Sequence, residues 1–152
     1  MSDGSGIVSV APAEFERLTE IWEASVRATH HFLGEADIVQ LRPRVRHDYL
    51  PMVELRACKN AAAGIEGFVG VADGKIEMLF IAPESRGRGV GKKLLACALD
   101  TLGATEVDVN EQNPQATGFY LHQGFEIVGR SPLDGQGNPF PLLHLRLQAA
   151  RV

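Results

Sequence analysis

Residues 77–93 read EMLFIAPESRGRGVGKK, an apolar run followed by a basic, glycine-dense turn and the beginning of a helical pattern. Gly87, Gly89 and Gly91 alternate with charged or branched residues. Glycine lets successive main-chain N–H groups approach one point, and a helix that begins there adds the positive end of its dipole. The stretch therefore predicts a strand, a turn and a helix that together bind an anion such as a pyrophosphate.

Two common phosphate-binding loops do not match this turn. A Walker A loop needs glycine where Arg86 stands and serine or threonine where Lys93 stands. A dinucleotide fingerprint needs a third glycine or alanine, and that position holds Lys92 or Leu94, depending on the starting glycine. A solvated surface turn without a ligand is the alternative that the residues leave open.

Hydrophobic periodicity predicts further helices and strands on both sides of the turn. The predicted helices cover residues 12–28, 34–50 with an interruption or bend near Pro43, 90–103 and 113–124. The predicted strands are IVSVAP, VELRACK, IEGFVGV, KIEMLFI, TEVDVN, FEIVGRS and LLHLRL, with an Asp73-Gly74 hairpin turn between the third and fourth. The order predicts one α/β domain over residues 1–152: a mixed, mostly antiparallel sheet with one central parallel crossover, flanked by helices.

Composition restricts the possible partners. The chain has 15 Lys and Arg against 19 Asp and Glu and a formal net charge of −4, which argues against a nucleic-acid or anionic membrane surface. Cys58 and Cys97 lie too far apart for a zinc knuckle or a CxxC pair, so reduced thiols are expected. No signal peptide or membrane-spanning run is recognisable, and we expect a soluble, cytoplasmic protein.

Two motifs resemble one known family. The R-x-x-G-x-G pattern at Arg86, Gly89 and Gly91, directly after the predicted strand, resembles the acetyl-coenzyme A loop of the GNAT N-acetyltransferase superfamily. Downstream, the family's N-x-x-A-x-x-x-Y-x-x-x-G-F segment is matched by Asn113, Ala116, Tyr120, Gly124 and Phe125. The likeness is strongest over residues 64–147, and the words ATHHFL and VNEQN resemble small bacterial acetyltransferases of the YjaB type.

The resemblance implies acetyl-coenzyme A as cosubstrate, without a metal, and assigns roles to individual residues. Main-chain N–H groups would hold the pyrophosphate, with Lys92 nearby, in a loop made of Arg86, Gly87, Arg88, Gly89, Val90 and Gly91. Leu79, Phe80 and Ile81 would pair with the pantetheine arm like an added strand, and an N–H near Phe80 would face the thioester oxygen. Asn113 would bind the pantetheine arm, and Tyr120 would protonate the departing thiolate.

Structural explanations compete with several of these roles. Asn113 before Pro114 is an ordinary helix N-cap, although one residue can serve both purposes. Asn113 and Tyr120 lie on nearly the same helix face, and Tyr120 could also be a core residue. The amine must lose a proton, and three carboxylates are open candidates for the base: Asp108, Glu77 and Glu111. Each could equally be a solvated or ion-paired carboxylate.

His30 and His31 could line the acceptor pocket, and a vicinal histidine pair is poor metal-ligand spacing. His47, His122 and His144 are interpreted as surface or structural histidines. The functional hypothesis is direct acetyl transfer in a ternary complex to a primary amine of a small molecule or peptide, by a monomer or homodimer. The alternatives are a non-catalytic acyl-coenzyme A sensor of the same fold and a nucleotide-binding protein.

Overall fold

The structure is a computed structural model, and it describes residues 6–30, 33–62, 64–135 and 137–148. The chain divides into two compact units, Met1–Ala104 and Thr105–Val152. His31 lies outside the described residues, so its predicted place in an acceptor pocket stays a prediction. Within the described part of the chain, no helix is long and apolar enough to cross a membrane.

The first unit is an antiparallel sheet covered by helices. Its strands, in the order in which they pair, are β1 (Ile7–Ser9), β2 (Glu54–Lys59), β3 (Ile65–Ala72) and β4 (Lys75–Ile81). Its helices are α1 (Phe15–Thr29), α2 (Glu35–Arg44) and α3 (Val90–Asp100). The predicted meander is confirmed, and its tight turn has positive φ at Asp73 (51°) and Gly74 (77°), which both central residues of a type I′ turn require.

The predicted second helix is interrupted near Pro43. The α-helix ends at Arg44, one residue after Pro43, and the chain continues as a π-helical turn, Val45–Tyr49, and a 3₁₀ turn, Leu50–Met52. Proline lacks the N–H that a regular α-helix needs at this point, so a change of helix type near Pro43 is the expected result.

The core of the first unit lies between the sheet and its helices. Its fully or nearly fully buried members are Leu18, Ile21, Trp22, Val26, Ile38, Val45, Leu50, Leu55, Ala57, Ile65, Phe68, Met78 and Ala82. Helix α3 packs very closely on β3 because Gly67 has no side chain. A Cβ atom at Gly67 would lie 2.9 Å from the carbonyl oxygen of Phe80, 3.1 Å from Leu94 and 3.2 Å from Val90. Gly67 thereby fixes how close the beginning of α3 lies to β4.

We expect Gly67→Ala to lower the free energy of unfolding by about 1–3 kcal/mol, because the new methyl group overpacks a close main-chain contact. Urea denaturation checks this. Gly118→Ala is the matched control, since a Cβ atom there meets nothing within 4 Å and alanine favours a helix. Equal stability of Gly67→Ala and the wild type would contradict the tight packing of α3 on the sheet.

The second unit is a small antiparallel sheet with one helix. It contains β5 (Glu106–Asn110), α4 (Pro114–His122), β6 (Phe125–Ser131) and β7 (Leu142–Leu147), and β7 pairs with both other strands. Val107, Leu145 and Phe125 are buried, and Asp108 and His144 alternate with them toward the opposite face. The two faces of this sheet are therefore chemically different.

Strand β6 carries a bulge that changes its register. Ile127 lies opposite Leu145, whereas Gly129 lies opposite His144, so Val128 is the extra residue. A bulge redirects the side chains that follow it. Ser131 consequently faces the same side of the sheet as His144.

Candidate active site

The glycine turn has a backbone that only glycine adopts easily. Gly87 (φ 78°) and Gly89 (φ 81°) are both in the left-handed region, and Gly89 is the N-cap of α3. A Cβ atom at either position would meet nothing within 4 Å, so the glycines are required by conformation and not by crowding inside the chain. Gly91 lies within α3 and has no such requirement.

The main-chain N–H groups of this turn have no acceptor within the described part of the protein. Among the described residues, none accepts a hydrogen bond from the N–H groups of residues 87–92, and the first bond of the helix is donated by Lys93 to the carbonyl of Gly89. The N–H of Arg86 is instead donated to the carbonyl of Pro83. An exposed row of unpaired N–H groups at a helix N-terminus is an anion-binding arrangement.

Cationic side chains surround the same turn. Arg86, Arg88, Lys92 and Lys93 are exposed. Arg88 Nη1 lies 3.7 Å from Glu66 Oε1, and the Arg88 side chain is 66% exposed, so this ion pair holds the guanidinium weakly. The positive charge is available to an anion bound by the N–H groups.

Along β4, every second main-chain N–H group points away from β3. Ala82 donates its N–H to Glu66, and Phe80 lies opposite Phe68 in the same register. Because hydrogen-bonded pairs alternate along an antiparallel ladder, the N–H of Phe80 points toward β3. The N–H groups of Leu79 and Ile81 point toward the other edge of β4. The predicted oxyanion donor near Phe80 is therefore best assigned to one of these two neighbours.

Glu77, a candidate base, is the extra residue of a bulge in β4. Met78 lies opposite Gly70 and Ile76 lies opposite Val71, which leaves Glu77 without a partner residue on β3. Its side chain is exposed. Because its side chain is accessible, Glu77 remains a candidate for the base that accepts a proton from the amine.

His30 lies beside β4 at the end of α1. Its ring centroid is 6.5 Å from that of Phe80, and its Nδ1 lies 2.7 Å from the hydroxyl of Thr29. Because Thr29 gives its only hydroxyl hydrogen to the carbonyl of Ser25, Nδ1 of His30 must be the donor to Thr29. This hydrogen-bond chain fixes the ring next to the strand that the pantetheine arm is expected to follow.

Asn113 is the helix N-cap that the sequence predicts. Its side-chain oxygen accepts a hydrogen bond from the N–H of Ala116 at 3.2 Å, so the N-cap is confirmed. The residue is 8% exposed, yet no described side-chain polar atom is both fully buried and unpaired. No bond within the described chain uses the amide nitrogen of Asn113, which is therefore not fully buried and keeps its hydrogens for another acceptor.

Tyr120 combines a buried ring with an unpaired hydroxyl. Its ring packs edge-on against Phe119 at 5.2 Å and Phe125 at 5.4 Å. No described residue makes a hydrogen bond to the hydroxyl, and since no described polar side-chain atom is both fully buried and unpaired, the hydroxyl reaches accessible space. Burial raises the pKa of Tyr120 well above the ordinary value, so the phenol stays neutral.

The other two candidate bases of the second unit are both paired. Glu111 accepts two hydrogen bonds from Arg130, at 2.7 and 2.9 Å, and this hydrogen bonding lowers the pKa of Glu111. Asp108 Oδ1 lies 2.7 Å from Nδ1 of His144. Nε2 of the same ring lies 2.6 Å from the hydroxyl of Ser131. The sequence did not predict this hydrogen-bonded set of Asp108, His144 and Ser131, because His144 was interpreted as a surface or structural histidine.

Similar proteins were identified from sequence and from structure. The family description of a GNAT acetyltransferase domain matches residues 55–127. The peptidyl-lysine N-acetyltransferase YjaB of Salmonella typhimurium is 42% identical over 132 residues, which is 87% of this chain and 90% of that protein. The solution structure of apo YjaB from Escherichia coli has a TM-score of 0.85 and 39% identity, covering 95% of this chain and 97% of that one.

A more distant neighbour shares the fold. The PaiA N-acetyltransferase of Thermoplasma acidophilum, solved in complex with coenzyme A, has a TM-score of 0.73 and 20% identity over 93% of this chain and 97% of that one. These likenesses confirm the predicted mixed, mostly antiparallel α/β fold as that of an acetyltransferase. The chain belongs to the GNAT acetyltransferase family, which confirms the predicted enzyme class.

Proposed function

We propose that this protein transfers the acetyl group of acetyl-coenzyme A to the Nε amine of a lysine in a peptide or protein, by direct attack in a ternary complex. The observation that carries the proposal is the row of unpaired N–H groups over residues 87–92, which begins a helix behind two left-handed glycines. The relatives named above as peptidyl-lysine N-acetyltransferases support the choice of acceptor.

The first unit supplies the cofactor contacts. The pyrophosphate would accept hydrogen bonds from Gly87, Arg88, Gly89, Val90, Gly91 and Lys92, with the side chains of Arg86, Arg88 and Lys92 adding positive charge. The pantetheine arm would lie along the edge of β4 at Leu79, Phe80 and Ile81, and the N–H of Leu79 or Ile81 would stabilise the negative charge on the thioester oxygen. These contacts bind and orient the acetyl donor.

The second unit supplies a hydrogen-bond donor and an acid. The free amide nitrogen of Asn113 would bind a carbonyl of the pantetheine arm. Tyr120 would give its proton to the thiolate when the carbon–sulfur bond breaks, and its accessible, unpaired hydroxyl supports this role. Direct attack needs no cysteine nucleophile, and burial raises the pKa of the Cys58 thiol, which makes Cys58 a poor nucleophile.

The acceptor amine has to be deprotonated. A free lysine has a pKa of about 10.4, so producing the neutral amine at pH 7 costs roughly 4–5 kcal/mol unless a base assists. Asp108 and Glu77 are the proposed carboxylates of that step: Glu77 is exposed, and Asp108 is hydrogen-bonded to the imidazole of His144. The protein would act as a monomer or homodimer. It would work in the cytoplasm, where acetyl-coenzyme A is a metabolite of the cell.

An acceptor screen tests the proposal. We expect lysine-containing peptides to release coenzyme A from acetyl-coenzyme A faster than polyamines, aminoglycosides or peptides whose only amine is the N-terminus. A thiol-reactive dye measures the release, and mass spectrometry of the peptide locates the acetyl group. Release with polyamines but not with lysine peptides would contradict the proposed acceptor, and binding without release for every amine would favour the acyl-coenzyme A sensor.

A further inference from the structure

Three side chains of the second unit form a continuous hydrogen-bonded chain. Asp108 on β5, His144 on β7 and Ser131 on β6 are joined at 2.7 Å (Nδ1 to Oδ1) and 2.6 Å (Nε2 to Oγ). All three are contributed by paired strands, and Asp108 lies directly opposite His144 in the register. The chain is thus held by the sheet itself and not by flexible loops.

The hydrogen bonds determine which nitrogen of His144 carries the proton. An ionised carboxylate only accepts hydrogen bonds, so Nδ1 of the ring donates to Asp108. In the neutral ring, Nε2 is then an acceptor, and the hydroxyl of Ser131 donates to it. This is the arrangement in which a histidine acts as a general base, with a carboxylate that stabilises the imidazolium and a hydroxyl that delivers the proton.

The location of the chain is accessible. The side chains of His144 and Asp108 are 35% and 22% exposed. The three hydrogen-bonded side chains are therefore partly buried but remain accessible to solvent. The hydrogen-bonded side chains lie on the face of the sheet opposite to Leu145 and Val107. They are separate from the ring of Tyr120, which packs on Phe125. The bulge at Val128 is what brings Ser131 to the side of His144, since without it Arg130 would occupy that place in the register.

We propose that His144, oriented by Asp108 and reached through the hydroxyl of Ser131, is the general base that deprotonates the acceptor amine. This rests on the proposed acetyl transfer and assigns to Asp108 a positioning role. The protonated amine gives one proton to Oγ of Ser131 while the Ser131 proton moves to Nε2 of His144, which leaves the neutral amine. The amine nitrogen then bonds to the thioester carbon, and the carbon–sulfur bond breaks.

The protons balance over the cycle. The ammonium loses two protons: the first leaves His144 for solvent, and the second replaces the proton that the thiolate takes from Tyr120. An imidazole suits this task better than a carboxylate, because the ordinary pKa of an imidazole lies near neutral pH, where a general base is most effective. From the neighbouring strands, Asp108 faces the ring from β5, and Gly129 and Ser131 face it from β6.

Three variants and one control test the proposal in the full-length protein. We expect His144→Ala and Asp108→Asn to lower kcat/KM for a lysine peptide by about 100-fold or more, the usual size of a general-base contribution, without weakening acetyl-coenzyme A binding. Ser131→Ala should lose about tenfold, because a water molecule can replace the hydroxyl. His122→Ala removes an exposed histidine and should keep wild-type turnover.

Two readouts separate a base from a merely structural histidine. Added imidazole should restore part of the turnover of His144→Ala, and the fall of kcat/KM at acid pH, caused by protonation of the ring, should disappear in that variant. If His144→Ala does not fold, His144→Gln replaces it in the kinetic tests. The NMR spectrum of the wild type gives an independent check: long-range proton–nitrogen correlations should show hydrogen on Nδ1 of the neutral His144 ring and none on Nε2.

Turnover of the His144 variant within about threefold of His122→Ala would overturn the proposal while leaving the acetyltransferase function intact. Hydrogen on Nε2 in the neutral wild type would overturn it as well. An acetyl group found on Ser131 would show that the hydroxyl is a nucleophile and not a proton carrier. Inactivity of the wild type toward every amine would instead overturn the proposed function, and the base assignment with it.

Discussion

Tyr120→Phe is expected to lower kcat by about 100-fold or more, while the dissociation constant for acetyl-coenzyme A stays nearly unchanged. The substitution removes only the hydroxyl, and that hydroxyl makes no hydrogen bond to any described residue, so the fold loses nothing that holds it together. The thiolate, whose conjugate thiol has a pKa of about 8.5 in water, then departs without its positioned proton donor. Steady-state kinetics and calorimetry measure the two quantities separately.

The pH profile gives a second check on Tyr120. Because burial raises its pKa, the phenol keeps its proton as the pH rises through 9, and loss of that proton should not reduce wild-type kcat below that pH. Tyr49→Phe removes a phenolic hydroxyl from the first unit and serves as the control. Full kcat for Tyr120→Phe from about pH 6 to 9, with chemistry rate-limiting, would make Tyr120 a core residue and water the proton donor.

Gly89→Val is expected to abolish detectable binding of coenzyme A, and Gly89→Ala to weaken it by about tenfold or more. Gly89 has φ 81°, and a side chain in the left-handed region costs roughly 1–2 kcal/mol, more when it is β-branched. Relief of that strain rotates the peptide and misdirects the N–H groups of residues 87–92. Calorimetric titration with coenzyme A measures the loss, and circular dichroism confirms that the variant is folded.

Gly135→Ala is the matched control for the turn. Gly135 is exposed, a Cβ atom there meets nothing within 4 Å, and its φ is not positive. It should bind coenzyme A like the wild type. Unchanged affinity in Gly89→Val would remove the turn from the binding site and return it to the solvated surface turn that the sequence left open.

Local sequence signals were enough to predict the elements that carry the proposed site. The glycines of the turn, the Asp73-Gly74 hairpin and the Asn113-Pro114 helix start each depend on backbone preferences of adjacent residues, and the structure has all three. Hydrophobic periodicity likewise predicted α1, where Pro12–Glu14 forms a 3₁₀ turn before the α-helix Phe15–Thr29.

Bulges and cross-strand pairs were out of reach of such reasoning. The direction of the Phe80 N–H depends on the register of β4 against β3, and the register shifts where Glu77 is inserted. The Asp108, His144 and Ser131 chain joins strands that are distant in sequence, and it exists only because Val128 shifts β6 by one residue. The alternation of LLHLRL indicates that His144 faces away from Leu143 and Leu145, but it does not identify the partners of His144.

Direct acetyl transfer is tested most directly by a single-turnover reaction of excess wild-type protein with labelled acetyl-coenzyme A and a lysine peptide, followed by rapid quenching and mass spectrometry of both protein and peptide. The label is expected on the lysine Nε at the rate at which coenzyme A appears, with none on the protein at any time. Label on the protein before it reaches the peptide, or bound acetyl-coenzyme A that is never consumed, would contradict direct transfer.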